Sequence, residues 1–315
     1  METTTVRQQA ATFMTQIQTR RRQPVRSATV KSYQSHLTKW VLPLLGDKDL
    51  SQIENGAVKN FIQKLSEAGL SAPSITKIFT VVKMIVASAV DENGNELYPR
   101  KWNHEFVDLP VVNPADQDAP TVPLVALETA LVRAKGADKA LYAILAGTGV
   151  RIGEALSLMV GPDDGRNSFW QPETATLTIR TTLTSHGIQD GTKTQAGQRQ
   201  VDLAPDLNTF LSTMLLDNDL PSTGLLFRSQ TGGPFRIQTA YEHLQKVGID
   251  EGFHSFRRFR ITHLESQNVP KGLQMFWTGH AAGDVHESYI KMGSNLEVRK
   301  DWAKKAGLGF QLGVI

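Results

Sequence analysis

Residues 254–289 read HSFRRFRITHLESQNVPKGLQMFWTGHAAGDVHESY. The stretch holds four of the chain's eight histidines, the arginines Arg257, Arg258 and Arg260, and Tyr289 at its end. Cationic hydrogen-bond donors beside one oxygen nucleophile suit chemistry on a phosphodiester. His254 and Arg257 are three apart, hence on one face of a helix near its N-terminus, where backbone N–H groups also favour a phosphate. Gly279 and Gly283 permit a turn between two short helices around His280. Tyr289 has an unperturbed pKa of about 10, which surrounding cations would lower.

Working outward, the next candidates lie upstream. GTGVRIGEALSLM (147–159) predicts a tight turn at Gly147–Gly149 and then a helix carrying Arg151, Glu154 and Leu158. It lacks the GxGxxG spacing of a dinucleotide loop, and no GxxxxGK[ST] loop occurs, so nucleotide-cofactor chemistry is disfavoured. The guanidinium of Arg151 offers planar bidentate donors for phosphate oxygens. ATLTIRTTL (175–183) alternates and is β-branched, and RQVDL (199–203) is a short strand. Residues 175–203 therefore predict a small antiparallel sheet with Lys193 on a glycine-flanked turn, where its ammonium could donate a proton. Singly, each candidate has a plainer reading: Arg151 as structural, Lys193 as a solvated turn lysine, His254 as a cap or core histidine, Tyr289 as core. No HExxH or acidic cluster accompanies the histidines, so metal binding is not expected.

Composition sets the frame. At 315 residues and 40% hydrophobic content the chain can bury two cores. It has no cysteine, hence no thiolate chemistry, which fits a reducing compartment. The first residues are too polar for a signal peptide, and no apolar run approaches a membrane span. A cytoplasmic protein with no membrane association is expected. The net charge of +3 says little, but its distribution says more: no carboxylate lies between Glu2 and Asp47, whereas Arg7, Arg20, Arg21, Arg22, Arg26, Lys31 and Lys39 do. This segment is either a polyanion-binding arm or a solvated basic tail.

Residues 1–25 are expected as that basic arm, extended or partly helical. Helical stripes follow: Val30, Tyr33, Leu37, Trp40, Val41 and Leu44, stopped by Gly46; Val58, Phe61, Ile62 and Leu65, stopped by Gly69; and Ile75, Ile78, Val81, Val82, Ile85 and Val86. They predict a helical domain over 26–112. Pro110, Pro114 and Pro120 mark a linker over 113–122, and a second domain spans 123–294. The fold class is mainly α with a small antiparallel sheet in the second domain.

Taken together, Arg151 with Glu154, Lys193 on a hairpin, His254-x-x-Arg257, Gly279-His280 and Tyr289, in this order, resemble the tyrosine recombinase (phage integrase) family over residues 120–295. Trp277-Thr278 stand before Gly279-His280 where that family commonly has a leucine, and His286 stands where it often has threonine. The resemblance implies a core-binding domain and a catalytic domain forming a clamp around duplex DNA, with neither cofactor nor metal. It implies Tyr289 as nucleophile, Arg151, Arg257 and His280 as donors to the phosphate oxygens, and Lys193 as the acid for the leaving oxygen. His254 would assist proton transfer, and Glu154 would steady the pocket. His263, His286, Arg258 and Arg260 fall to supporting roles. Arg20, Arg21, Arg22, Arg26, Lys31, Arg258 and Arg260 are expected on DNA. The family works as a tetramer on two DNA sites through a Holliday junction, with accessory DNA-bending or directionality proteins as further partners. Residues 295–315, with Leu296, Trp302, Leu308 and GLGFQLGVI, form a tail that docks on a neighbouring protomer, as family tails do, or packs in its own domain. The alternatives are a type IB topoisomerase-like enzyme and a non-catalytic DNA-binding protein of the same fold.

Overall fold

The computed structural model describes residues 4–22, 25–98, 100–113, 119–190, 198–229, 231–279 and 295–313. The chain divides into two compact units, Met1–Asp118 and Ala119–Ile315. Among the described residues no helix is long and apolar enough to cross a membrane.

The first unit is helical: α1 (Val6–Thr19), α2 (Ser27–His36), a π-helical turn (Leu37–Val41), α3 (Leu42–Leu45), α4 (Asn55–Glu67) and α5 (Ala72–Ala87). The sequence expects one helix from Ser27 to Leu44, and the π-helical turn divides it. On α4 and α5 the buried residues include every position of the two stripes read from the sequence. The expectation of an N-terminal arm is corrected. α1 starts from a reciprocal cap, in which the Thr5 N–H donates to Gln8 Oε1 at 2.9 Å and the Gln8 N–H to Thr5 Oγ1 at 3.3 Å. Val6, Ala10, Phe13, Met14 and Ile17 recur at helical spacing and enter the core of this unit. Gln9 is buried too, its amide donating to Ser88 Oγ at 2.8 Å and tying α1 to the end of α5. The polar residues between the apolar ones are the solvent face of a packed helix.

The second unit surrounds α7 (Gly136–Thr148), whose residues from Lys139 to Thr148 are all buried, the mark of a helix covered on every side. α6 (Leu124–Arg133), α9 (Pro205–Leu216) and α11 (Phe253–Ser266) pack on it. α8 (Ile152–Ala155), α10 (Ile237–Lys246), α12 (Lys271–Thr278) and α13 (Leu296–Ala306) complete its helices among the described residues. Strands β1 (Leu158–Val160), β2 (Ser168–Gln171), β3 (Thr176–Ile179), β6 (Arg199–Asp202) and β7 (Gly224–Leu225) form one sheet in the order β6-β3-β2-β1-β7, and β4 (Thr181–Thr184) pairs with β5 (Gly187–Asp190). The sheet is larger than expected and not wholly antiparallel, because β1 and β2 run parallel. The predicted helix through Leu158 stops at Ala155. There the Ser157 hydroxyl lies 2.9 Å from the Glu154 carbonyl and 3.0 Å from the Thr181 carbonyl, drawing the chain toward β4.

The described tail, 295–313, packs in its own unit. Ala303, Ala306 and Leu308 join the core, Phe310 meets the Phe259 ring at 6.0 Å, and the Gln311 N–H donates to Glu128 Oε1 at 2.9 Å. Two side chains of α11 hold its bend: Arg260 Nη1 donates to the Gly307 carbonyl at 2.7 Å, and His263 Nε2 to the Ala306 carbonyl at 2.8 Å.

Candidate active site

α7 ends at Gly149, whose φ of +72° is left-handed and whose absent Cβ leaves room for Arg260, since a Cβ there would stand 3.3 Å from Arg260 Cβ. Two residues on, Arg151 is extended (φ −73°, ψ 151°) and occupies the N-cap of α8. The carboxylate of Glu154 folds back beneath it, accepting the Arg151 N–H at 2.9 Å and Arg151 Nη1 at 3.0 Å. The same carboxylate takes the fork of Arg199, from β6, at 3.2 Å (Nη1) and 2.8 Å (Nη2). Glu154 is 2% exposed, whereas the Arg151 side chain is 46% exposed. An anchored carboxylate thus aims a cation outward. Burial pushes the Glu154 carboxyl up, but the Arg199 charge and hydrogen bonds, with those of Arg151, outweigh it and hold the group below its ordinary value.

Arg257 arrives from the second turn of α11. It is 2% exposed, and its Nη1 and Nη2 donate to the carbonyls of Gly149 (2.8 Å) and Thr278 (2.5 Å). Burial and then the charges of Arg151 and Arg199 lower its pKa to about 10, so it is still a cation at neutral pH. His254, one turn earlier, is exposed. Its partial burial, followed by the charges of Arg258, Arg257 and Arg151, lowers its pKa and keeps it neutral at pH 7. Among the described residues Arg151, Arg199 and Arg257 face the carboxylate of Glu154, and this excess of positive charge favours an anionic ligand.

Arg151, Glu154, His254 and Arg257 therefore come together. Lys193, His280, His286 and Tyr289 lie outside the described residues. Arg260 is corrected as a DNA contact: it is 2% exposed and holds Gly307, so its place is structural. Arg258 donates to the Pro120 carbonyl at 2.6 Å. In the first unit Arg20, Arg21, Arg22 and Arg26 are exposed between α1 and α2, and Lys31 is exposed within α2.

Sequence reasoning missed Arg199, Asp202 and Arg299. Asp202 is buried and accepts Trp277 Nε1 at 2.8 Å and the fork of Arg299, from α13, at 2.9 and 3.2 Å. Trp277 is a core residue with a satisfied indole. One signal was available: Arg199, Val201 and Leu203 share a face in RQVDL, and an arginine on an inward face needs a buried partner.

No protein-family profile and no curated protein matches the sequence. Solved structures do. The Tn1549 transposon integrase in complex with transposon right-end DNA superposes with a TM-score of 0.64 at 18% identity, over 95% of this chain and 94% of that one. A lambda integrase dimer bound to a COC′ core site gives 0.59 at 14% identity, over 91% and 77%. A lambda integrase tetramer bound to a Holliday junction gives 0.60 at 15% identity, over 89% and 79%. Over nearly its whole length the chain has the fold of these integrases, which is the fold of the tyrosine recombinases that its motif set resembles.

Proposed function

We propose that the protein is a site-specific DNA recombinase of the integrase type, cleaving and rejoining duplex DNA through a 3′-phosphotyrosyl intermediate. The observation that carries this reading is the pairing of outward-facing Arg151 with buried Arg257 around Glu154, with neutral His254 at their edge. Such a constellation presents fixed donors to the non-bridging oxygens of one phosphate, where charge grows in the pentacoordinate transition state. Tyr289 forms the new O–P bond as the P–O5′ bond breaks; its proton passes to a base, for which neutral His254 is suited. Lys193 protonates the departing 5′-oxygen, and His280 adds a third donor. The 5′-hydroxyl of a partner strand then reverses the step, displacing Tyr289 and exchanging strands. The working assembly is a tetramer on two duplex sites, passing through a Holliday junction, and the setting is the DNA of a cytoplasm.

The test is a nicked duplex carrying a sequence that the protein itself selects from a random library. Wild type is expected to form a covalent adduct that resists denaturation, and Tyr289→Phe to bind the duplex without forming one. Binding without an adduct in the wild type sinks the enzyme reading and leaves a DNA-binding protein.

A further inference from the structure

Arg199 has no part in the phosphate chemistry above, yet it is built into the site more deeply than Arg151 or His254. Its side chain is 1% exposed. Its Nη groups grip both oxygens of Glu154, and its Nε donates to the Trp277 carbonyl at 2.7 Å. Gly279 closes over it, and a Cβ there would stand 2.8 Å from Arg199 Nη1. The guanidinium thus joins three pieces of chain: β6, which carries it, the turn of α8 through Glu154, and the end of α12 through Trp277. Arg151 meets a carboxylate whose orientation Arg199 has fixed, because a planar fork on two oxygens removes rotation about the last side-chain bond.

We propose that Arg199 is a positioning residue of this site, acting through Glu154 to hold Arg151 in its phosphate-binding orientation. The proposal rests on the recombinase reading. A plain structural ion pair would also be buried, so fold stability alone does not separate the two roles. The pH dependence does. Among the described residues, the charged and titratable groups facing Glu154 are Arg151 on its own turn, Arg199 on β6 and Arg257 on α11, with His254 beyond Arg151; β4, packed against α8, brings the uncharged Thr182 and Leu183. Without Arg199, burial drives Glu154 toward its neutral form, and Arg151 loses an anionic partner as pH falls.

The experiment compares full-length wild type with Arg199→Lys, Arg199→Gln, Glu154→Gln and the double variant Glu154→Gln/Arg199→Gln, in duplex binding and in single-turnover adduct formation across pH. Arg199→Gln is expected to slow adduct formation about 100-fold with duplex affinity kept, and to move the acid limb of the rate profile to higher pH. Arg199→Lys keeps the charge and should restore the acid limb but not the full rate. In the Glu154→Gln background the loss of Arg199 should cost far less than it does alone. Additive losses, or a slower rate with an unmoved acid limb, overturn the proposal and make Arg199 a structural partner only. Should Arg199→Gln fail to fold, Arg199→Lys decides, and a wild-type rate there overturns it. A wild type that binds duplex without forming an adduct sinks the recombinase reading instead. The rotation of the Arg151 guanidinium, followed by NMR on arginine-labelled protein, then tests Arg199 alone: restricted in wild type and freed in Arg199→Lys supports it, and no change overturns it.

Discussion

Trp277 and Arg299 converge on one oxygen of Asp202, the indole N–H at 2.8 Å and the guanidinium Nε at 2.9 Å. The carboxylate is buried on β6, so it ties the end of α12 and the start of α13 to the same strand. Asp202→Asn keeps the shape and takes the negative charge of Asp202 away from the buried Arg299. The expected cost is about 3–5 kcal/mol, read as a fall in the denaturant midpoint, with Trp277 fluorescence as a local reporter. A midpoint equal to that of wild type would show that the pair contributes no net stability.

Glu154 makes the stability of the second unit depend on pH in a set direction. Its folded pKa is held below the ordinary 4.5, so its contribution is fully present above that value and is lost as pH falls through the folded one. Glu154→Gln mimics the protonated group. At neutral pH it is expected to cost about 3 kcal/mol or more, because the buried fork of Arg199 loses the charge of Glu154. The gap between wild type and variant should narrow as pH falls through the folded pKa, below 4.5. Denaturation at the two pH values measures this, and a gap that widens in acid refutes the assignment of the charge.

How much of this was legible in the sequence depends on range. Arg151 with Glu154, and His254 with Arg257, lie three residues apart, so helical geometry alone places each pair on one side of the chain. The stripes of α4 and α5 were legible for the same reason: one period repeated. Asp202 and Arg299 are 97 residues apart, and Arg199 and Glu154 are 45 apart. No local period records such a pairing, only the oddity of a charge on an inward strand face. α1 was misread from its composition, because Thr, Gln and Arg between Val6, Ala10, Phe13 and Ile17 made an amphipathic helix look like a polar arm.

His254 titrates below its ordinary value of 6.5 because of partial burial first, and then the charges of Arg258, Arg257 and Arg151. Arg258 is the removable one, since its described hydrogen bond is to the Pro120 carbonyl. Arg258→Gln should therefore raise the His254 pKa toward 6.5, seen as a shifted midpoint in the NMR titration of its ring. A ring midpoint that stays fixed would remove Arg258 from the causes and leave burial with the charges of Arg257 and Arg151.

The N-terminal residues divide into two roles that separate experiments can read. Phe13 is 6% exposed, lies in the core of the first unit and meets Tyr33 at 6.3 Å between ring centroids. Phe13→Ala should destabilise that unit by about 3–5 kcal/mol, and deleting residues 1–25 should unfold it instead of trimming an arm. Arg20, Arg21 and Arg22 follow the end of α1 and are exposed, so changing all three to Gln should leave the melting curve where it is. If they meet DNA phosphates, the slope of log affinity against log salt should fall by about 0.9 for each phosphate that is no longer neutralised. The two outcomes are independent, because one reads apolar burial inside the bundle and the other reads counterion release outside it. A triple variant that melts early would place these arginines in the fold, and one with an unchanged salt slope would leave them in solvent when DNA is bound.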